Sequence, residues 1–463
     1  MFSNKKLAVA VSGAVLLMAG QCALADSTTD IVDALVSKGV LTEEEGKLIS
    51  KGHETKKKAD GTVSFKDGFK INSGDGKSNM SINGRIQADY RNFGDYDRGA
   101  TTAVGVPDTF DVRRSYLTAK GKFRNTSFEA TLDGTNGSPF LKYYWLEYNL
   151  SELFNVRFGQ FKTPMGLETQ TSSRFSDMTE RDWAATLAAS INKGIMIHGV
   201  PTPGMTYQFM ISNGGVKYEE GQKVAESGVL TDGKSFTGRV TINAAELMGN
   251  KEAIYHVGAS YGIDQDLANQ LVSDFTFATN GRGATFFKAG ATASAAATDT
   301  LLSNPEIKRY GLEGIVAYGP VKLQAEYNNN NYEVANVADK EIDAYYVNAS
   351  WMITGEKYSG AYKKGLMDRM SPLKDYTGLG SSGWGAWELA ARYSKFDASD
   401  FTALTGFTNK AHSYTAGIKW IMDPNTRFLL NYIKSDFDTP LGSVAGRTFD
   451  GEKAINFRAQ FDF

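Results

Sequence analysis

The chain has 463 residues, of which 12 % are aromatic, and 48 glycines stand against 10 prolines, a balance that favours many strands joined by turns. Its 50 lysines and arginines are matched by 52 aspartates and glutamates, which excludes a global basic surface for nucleic acid. Any electrostatic function must therefore come from local placement of charge.

Residues 1–25 form an export signal: Lys5 and Lys6, an apolar run over residues 7–20, and the small-x-small step Ala23-Leu24-Ala25. The mature chain is expected to begin at Asp26. The apolar run is short for a membrane span of about 20 residues. Cys22, the only cysteine, lies inside the signal, so the mature chain offers no thiol for a disulfide, a metal cluster or a nucleophile. Gln21 before it argues against lipidation. With no His/Cys ligand spacing elsewhere, no metal and no cofactor are expected.

Residues 26–78 read as a periplasmic extension. Ile31, Leu35, Leu48 and Ile49 recur at helical spacing, Gly39 divides the stretch into two short helices, and Thr42 with Glu45 forms a capping box for the second. A short trimerising coiled coil and a plain amphipathic stalk both fit this pattern.

From Ser81 the period becomes two. "SINGRIQADYRNF" (81–93) places Ile82, Gly84, Ile86, Ala88 and Tyr90 on one face and Asn83, Arg85, Gln87, Asp89 and Arg91 on the other. The same alternation recurs in "SFTGRVTIN" (235–243), "VKLQAEYN" (321–328), "WELAARYS" (387–394), "SYTAGIKW" (413–420) and the terminal "INFRAQFDF" (455–463). Tight turn sequences such as "PTPG" (201–204) and "MDPNT" (422–426) separate these segments, and long connections such as 213–234, 263–305 and 395–411 alternate with them. The template gives about sixteen strands in residues 79–463. Short turns on one rim and long loops on the other predict an all-β, transmembrane antiparallel barrel that crosses a Gram-negative outer membrane in many passes. A soluble β-sandwich would bury its aromatics, whereas Tyr90, Tyr261, Tyr318, Tyr327, Trp351, Tyr393 and Trp420 lie near the ends of their apolar stripes, as an interfacial girdle requires. The connection 354–383 is long but falls on the short-turn rim, and the sequence leaves open whether it brings Lys357, Lys363 and Lys364 into the pore.

Two stretches carry the candidate chemistry. "FDVRRSYLTAKGKF" (110–123) puts Arg114, Tyr116, Thr118, Lys120 and Lys122 on the lumen face beside Arg85 and Arg91. Strict alternation leaves Arg113 facing lipid, so either a bulge turns it inward or it meets a neighbouring subunit. The second stretch is a third long loop, 163–192, which carries Arg174, Glu180, Arg181, Asp182 and Trp183 without strand periodicity. Folded inward, it would narrow a water-filled barrel of this size, and arginine there attracts anions because its planar fork suits oxyanion geometry.

These residues resemble the phosphate-selective porin O and P family. The likeness rests on "GRIQADY" (84–90), "FDVRRSYLTAKGKF" (110–123), "YYWLEY" (143–148), "RFGQFKTPMGLE" (157–168), "SSRF" (172–175), "ERDWA" (180–184) and "WELAARYS", and it covers about residues 80–463. It implies a homotrimer of sixteen-stranded barrels whose anion site forms where the first strands meet the inward third loop. By position, Arg85, Arg113, Arg114 and Tyr116 match the family's basic binding cluster, and Arg174 falls where the constriction loop offers a cation. Arg181 matches the loop's "ER" step, with an ion pair to Glu180 or Asp182 expected. Two positions depart from the family: one strand carries Arg239 alone where relatives have an arginine ladder, and Tyr143 follows Lys142 where relatives often have Asp.

The expected function is passive diffusion of small anions, phosphate or polyphosphate first among them. A weakly selective general porin is the alternative, because acids such as Glu326 and Glu388 also face the lumen. A barrel hydrolase is the remote alternative: the four histidines, His53, His198, His256 and His412, sit in no motif with a serine, so no enzyme activity is expected. The expected partners are small anions, outer-membrane lipid, and the barrel-assembly machinery, since the terminal Phe463 with apolar residues two, four and six positions earlier resembles an assembly signal.

Overall fold

The computed structural model describes residues 32, 34–49, 61–65, 68–94, 106–135, 137, 139–188, 191–213, 233–265, 276–288, 306–333, 338–380, 382–403, 406–444 and 447–463. The export signal lies outside the described residues. The chain divides into a small N-terminal unit and a large unit that contains the barrel. In the N-terminal unit, residues 34–37 and 43–49 are helical, and Gly39 takes φ 70° between them. The capping box is formed: the Thr42 amide donates to Glu45 Oε2 (2.9 Å), and the Glu45 amide donates to Thr42 Oγ1 (3.2 Å).

Sixteen strands build the barrel. They are β1 (Ser78–Phe93), β2 (Thr109–Phe123), β3 (Thr126–Asp133), β4 (Phe140–Asn149), β5 (Asn155–Lys162), β6 (Ile191–Gly199), β7 (Met205–Asn213) and β8 (Lys234–Asn243), then β9 (Ala253–Asp264), β10 (Glu306–Tyr318), β11 (Val321–Glu333), β12 (Lys340–Met352), β13 (Ala386–Asp397), β14 (Lys410–Ile421), β15 (Thr426–Val444) and β16 (Arg447–Asp462). Each pairs antiparallel with the next, and β16 returns to β1 in a register that runs from Ala454 opposite Phe93 to Asp462 opposite Arg85. Closure leaves no open edge, which lipid requires because it offers no hydrogen bonds to backbone groups. His412 lies within β14.

The polarity is inside out. On β8, Phe236, Val240 and Ile242 are exposed on the outer wall, while Ser235, Thr237, Arg239, Thr241 and Asn243 are buried on the lumen side. β11 repeats this, with Val321, Leu323 and Tyr327 outside and Lys322, Gln324, Glu326 and Asn328 inside. Such a wall is stable only where the outside solvent is hydrocarbon. At the short-turn rim Trp387 stacks on Trp420 (5.2 Å, 15°), and both indoles donate to the Trp384 carbonyl (3.1 and 2.9 Å), which fits an interfacial girdle.

Three insertions fill part of the lumen. The first is the third loop, described over residues 163–188. The second is a hairpin, Thr276–Ala278 with Thr285–Lys288, within a stretch expected to be one long irregular loop. Its Phe277, Phe286 and Phe287 join Trp183 and Leu187 of the third loop and Phe396, Phe401 and Phe437 in an apolar cluster inside the long-loop half of the barrel. The third insertion lies between β12 and β13. Tyr358, Ala361 and Met367 are buried with Leu167, Ile254, Ile315 and Ile421, the Tyr358 hydroxyl donates to Glu388 Oε2 (3.1 Å), and the Gly365 carbonyl accepts from Arg239 Nη2 (3.1 Å). This answers the question the sequence left open, although not with its lysines. Lys357 pairs with Glu252 and Lys363 with Asp368, both more than half exposed, and Lys364 is exposed.

Candidate functional site

Alternation on β2 breaks at the paired arginines. Asp111 faces the lumen, where it meets Arg91 (3.2 Å), Val112 faces out, and then Arg113 and Arg114 are both buried. Arg113 turns inward: its Nε donates to Glu180 Oε1 (2.8 Å) and its Nη2 to Glu180 Oε2 (3.2 Å). Arg114 Nη1 donates to Gln87 Oε1 (2.8 Å). Regular pairing with β3 starts only at Tyr116 opposite Asp133. The extra inward residue behaves as a bulge does, re-aiming a side chain into the site.

The third loop crosses the lumen because many groups hold its backbone. Lys162 Nζ donates to the carbonyls of Thr169, Gln170 and Thr171 (2.6, 3.0 and 3.2 Å). Arg181 donates to the carbonyls of Glu168 and Thr171 (2.9 and 3.0 Å). Arg113 and Arg458 engage the Glu180 carboxylate, and Arg392 engages that of Asp182. Farther along, Asp177 meets Lys322 (2.7 Å), the Thr179 amide donates to Asn431 (2.7 Å), and Asp182 caps the short helix Trp183–Leu187 through the Ala184 amide (3.0 Å). The inserted hairpin docks on this loop, with Trp183 Nε1 donating to Ala278 O (2.9 Å) and Asn280 to Asp182 (3.2 Å).

Between β2, the third loop and the hairpin lies a cavity of about 310 Å³ lined by Arg113, Arg114, Thr169, Glu180, Arg181 and Arg282, among others. Its carboxylate, Glu180, is 2.8 Å from Arg113, 3.0 Å from Arg458, 3.8 Å from Arg91 and 3.9 Å from Arg282. Burial alone would raise the Glu180 pKa, but the charges of Arg113, Arg282 and Arg458 outweigh it and hold the group well below the usual carboxylate range. Arg282 reaches the cavity from a left-handed backbone (φ 61°), a conformation rare for a side-chain-bearing residue and held by the docked hairpin.

Arg85 and Tyr116 form a neighbouring station. The Arg85 guanidinium lies 4.3 Å from the Tyr116 ring centre and donates to Ser173 Oγ (2.8 Å). Lys142 Nζ lies 4.6 Å from the same ring centre, contacts the hydroxyl (2.5 Å) and meets Asp133 (3.3 Å). Arg174 sits toward the short-turn rim, 3.8 Å from Asp462 and 3.4 Å from Asn83 Oδ1. Lys120 stays apart, exposed and in register with Glu129. The predicted residues thus fall into three places: Arg113, Arg114 and Arg181 on the cavity, Arg85 and Tyr116 beside it, and Arg174 and Lys120 away from it. Sequence reasoning missed Arg282. Asn280-Gly281 between Phe277 and Phe286 was the hairpin signal that could have found it.

Glu168 of the third loop is buried, and desolvation raises its pKa from 4.5 to about 7 despite the opposing charge of Arg392. A carboxyl that binds its proton more tightly in the seated loop than in water favours seating as pH falls. Protection of the loop amides, read as exchange slowed relative to their intrinsic base-catalysed rates, is therefore expected to rise by up to about tenfold per pH unit from pH 7 down to 4.5, to be flat above pH 7, and to lose this component in Glu168→Gln. An unchanged profile in that variant would contradict the assignment.

A closed sixteen-stranded barrel with an apolar outer wall, a charged lumen and an inward loop is the architecture of an outer-membrane porin, and the chain crosses that membrane through its strands. The chain belongs to the phosphate-selective porin O and P family, whose model matches residues 80–463. It is similar to porin O of Pseudomonas aeruginosa, at 24 % identity over 406 residues that cover 82 % of this chain and 88 % of that one. Among solved structures it is similar to a loop-deletion mutant of OmpT, an outer membrane protein of Vibrio cholerae, at 9 % identity and a TM-score of 0.50, covering 84 % of this chain and 100 % of that one. It is also similar to an anion-selective porin from Comamonas acidovorans, at 14 % identity and a TM-score of 0.48, covering 83 % and 100 % of the two chains. Family and fold point to a channel rather than an enzyme. The described histidines bond to carboxylates or a phenol: His256 to Glu313 and Tyr362, His198 to Glu147, and His412 faces Asp436.

Proposed function

We propose that this porin passes small anions by diffusion, phosphate or polyphosphate first among them, through the cavity between β2, the third loop and the inserted hairpin. The observation that carries this reading is the lining: Arg113, Arg114, Arg181 and Arg282 face a cavity whose carboxylate among the described residues is Glu180. Guanidinium forks match oxyanions in pairs of hydrogen bonds, and a low-permittivity wall strengthens each charge. The family's description as phosphate-selective agrees with this chemistry. A homotrimer, with assembly signalled through the terminal strand, completes the reading.

A weakly selective pore is the second reading, and charge neutralisation elsewhere favours it. Arg239 lies 2.5 Å from Glu313, Lys419 lies 2.8 Å from Glu388, and Arg309 lies 2.7 Å from Asp264. Single-channel chloride conductance with phosphate titrated in separates the two. Saturable block by phosphate at low concentration supports a binding site, and a current that only scales with total salt supports the second reading.

A further inference from the structure

Glu180 is the least expected group in a cavity read as an anion site. Its carboxylate oxygens accept from the Nε and Nη2 of Arg113 (2.8 and 3.2 Å) in the side-on fork geometry that a bound oxyanion would use. Arg458 Nη2 donates to Oε1 at 3.0 Å, with Arg91 at 3.8 Å and Arg282 at 3.9 Å. These arginines come from β2, β16, β1 and the inserted hairpin, so four separate elements converge on one loop carboxylate. Arg91 Nε is also buried without a hydrogen-bond partner among the described residues, so donors exceed acceptors here.

We propose that Glu180 is a tethered stand-in for the transported anion, occupying the arginine fork when the cavity is empty and yielding it when an oxyanion arrives. This rests on the anion-pore reading and adds a competitor built into the site. The species that displaces a carboxylate from a two-point fork must itself carry two suitably spaced oxygens, as phosphate and other oxyanions do and chloride does not. An internal competitor weakens apparent affinity by the fraction of time it holds the site, which lets the anion leave as well as enter. Conduction needs that balance. Glu180 is therefore a specificity-determining residue whose removal should favour oxyanions over halides.

The test uses the full-length protein in planar bilayers and compares the wild type with Glu180→Gln. The proposal expects the phosphate concentration for half-block of chloride current to fall by about tenfold or more in the variant, with anion preference increased. A purely structural role for Glu180 predicts the opposite sign, because a loosened loop gives a wider, less selective pore and weaker block. Weaker or unchanged block in a variant whose wild type is anion-preferring and phosphate-blocked overturns the proposal alone. A wild type with no anion preference overturns the pore reading and this proposal with it. If Glu180→Gln fails to assemble, hydrogen exchange on the wild type decides. Added phosphate should speed exchange of the amides around 179–182 as Glu180 is released, and slowed or unchanged exchange there would overturn the proposal.

Discussion

Replacing Arg114 and Arg282 together by glutamine is expected to cut the anion-over-cation permeability ratio at least about tenfold, read from reversal potentials in a salt gradient. Around the cavity, the guanidiniums of Arg91, Arg113, Arg114, Arg181, Arg282 and Arg458 face the carboxylates of Glu180, Asp89 and Asp111, which leaves three positive charges in excess. The double variant removes two of the three. At roughly 6 Å and an effective permittivity of about 20, a unit charge acts on an ion with about 3 kcal/mol before screening by salt. Even half of that, from two charges, exceeds the tenfold mark. Both side chains line the cavity, whereas the strands and the third loop are held by other bonds, so single-channel conductance should persist. A ratio unchanged from wild type would place selectivity elsewhere.

The second large effect is expected at the closing seam. Gly84 and Phe463 exchange two backbone hydrogen bonds of 3.1 Å each, so the last residue of the chain pairs with the first strand. A Cβ added at Gly84 would lie 2.9 Å from the Phe463 ring and 2.9 Å from the carbonyl oxygen of Tyr116. The ring could rotate away, but the Tyr116 carbonyl is backbone in the neighbouring strand and cannot yield cheaply. Gly84→Val should therefore reduce the fraction of heat-modifiable, folded barrel severalfold, by overpacking worth about 1–3 kcal/mol at the seam. Deleting Phe463 removes both hydrogen bonds where lipid offers no replacement and should lower assembled yield at least as much. Channels that do insert should keep their selectivity, because Arg113 and Arg114 on the cavity are held by Glu180 and Gln87. Normal yield of both variants would show that closure does not depend on this contact.

The barrel was legible because its signal is local. Each strand states its own two faces, as "SFTGRVTIN" does on β8, and a closed membrane barrel adds few choices beyond the number of strands. The third loop was legible for the complementary reason: periodicity stops after Lys162 and resumes at Ile191. Arg113 could be read only as a pair of alternatives, since a bulge is decided by a partner, here Glu180, 67 residues away in the sequence. The inserted hairpin and the segment between β12 and β13 were hidden differently. Their apolar residues, such as Phe286 and Tyr358, pack against one another and against lumen residues of several strands, a pattern that resembles surface loop until the barrel is closed. For the same reason the sequence showed Glu180 only as a neighbour of Arg181. Its convergence with β1, β2, β16 and the hairpin exists only in three dimensions.

On the proposed function, the arginines around the cavity give this pore a preference for anions. The most direct measurement is the reversal potential of the purified protein in a planar bilayer under a tenfold gradient of potassium chloride at neutral pH. A potential displaced toward the chloride equilibrium value is the predicted result, and one displaced toward the potassium value, or held at zero, would contradict it.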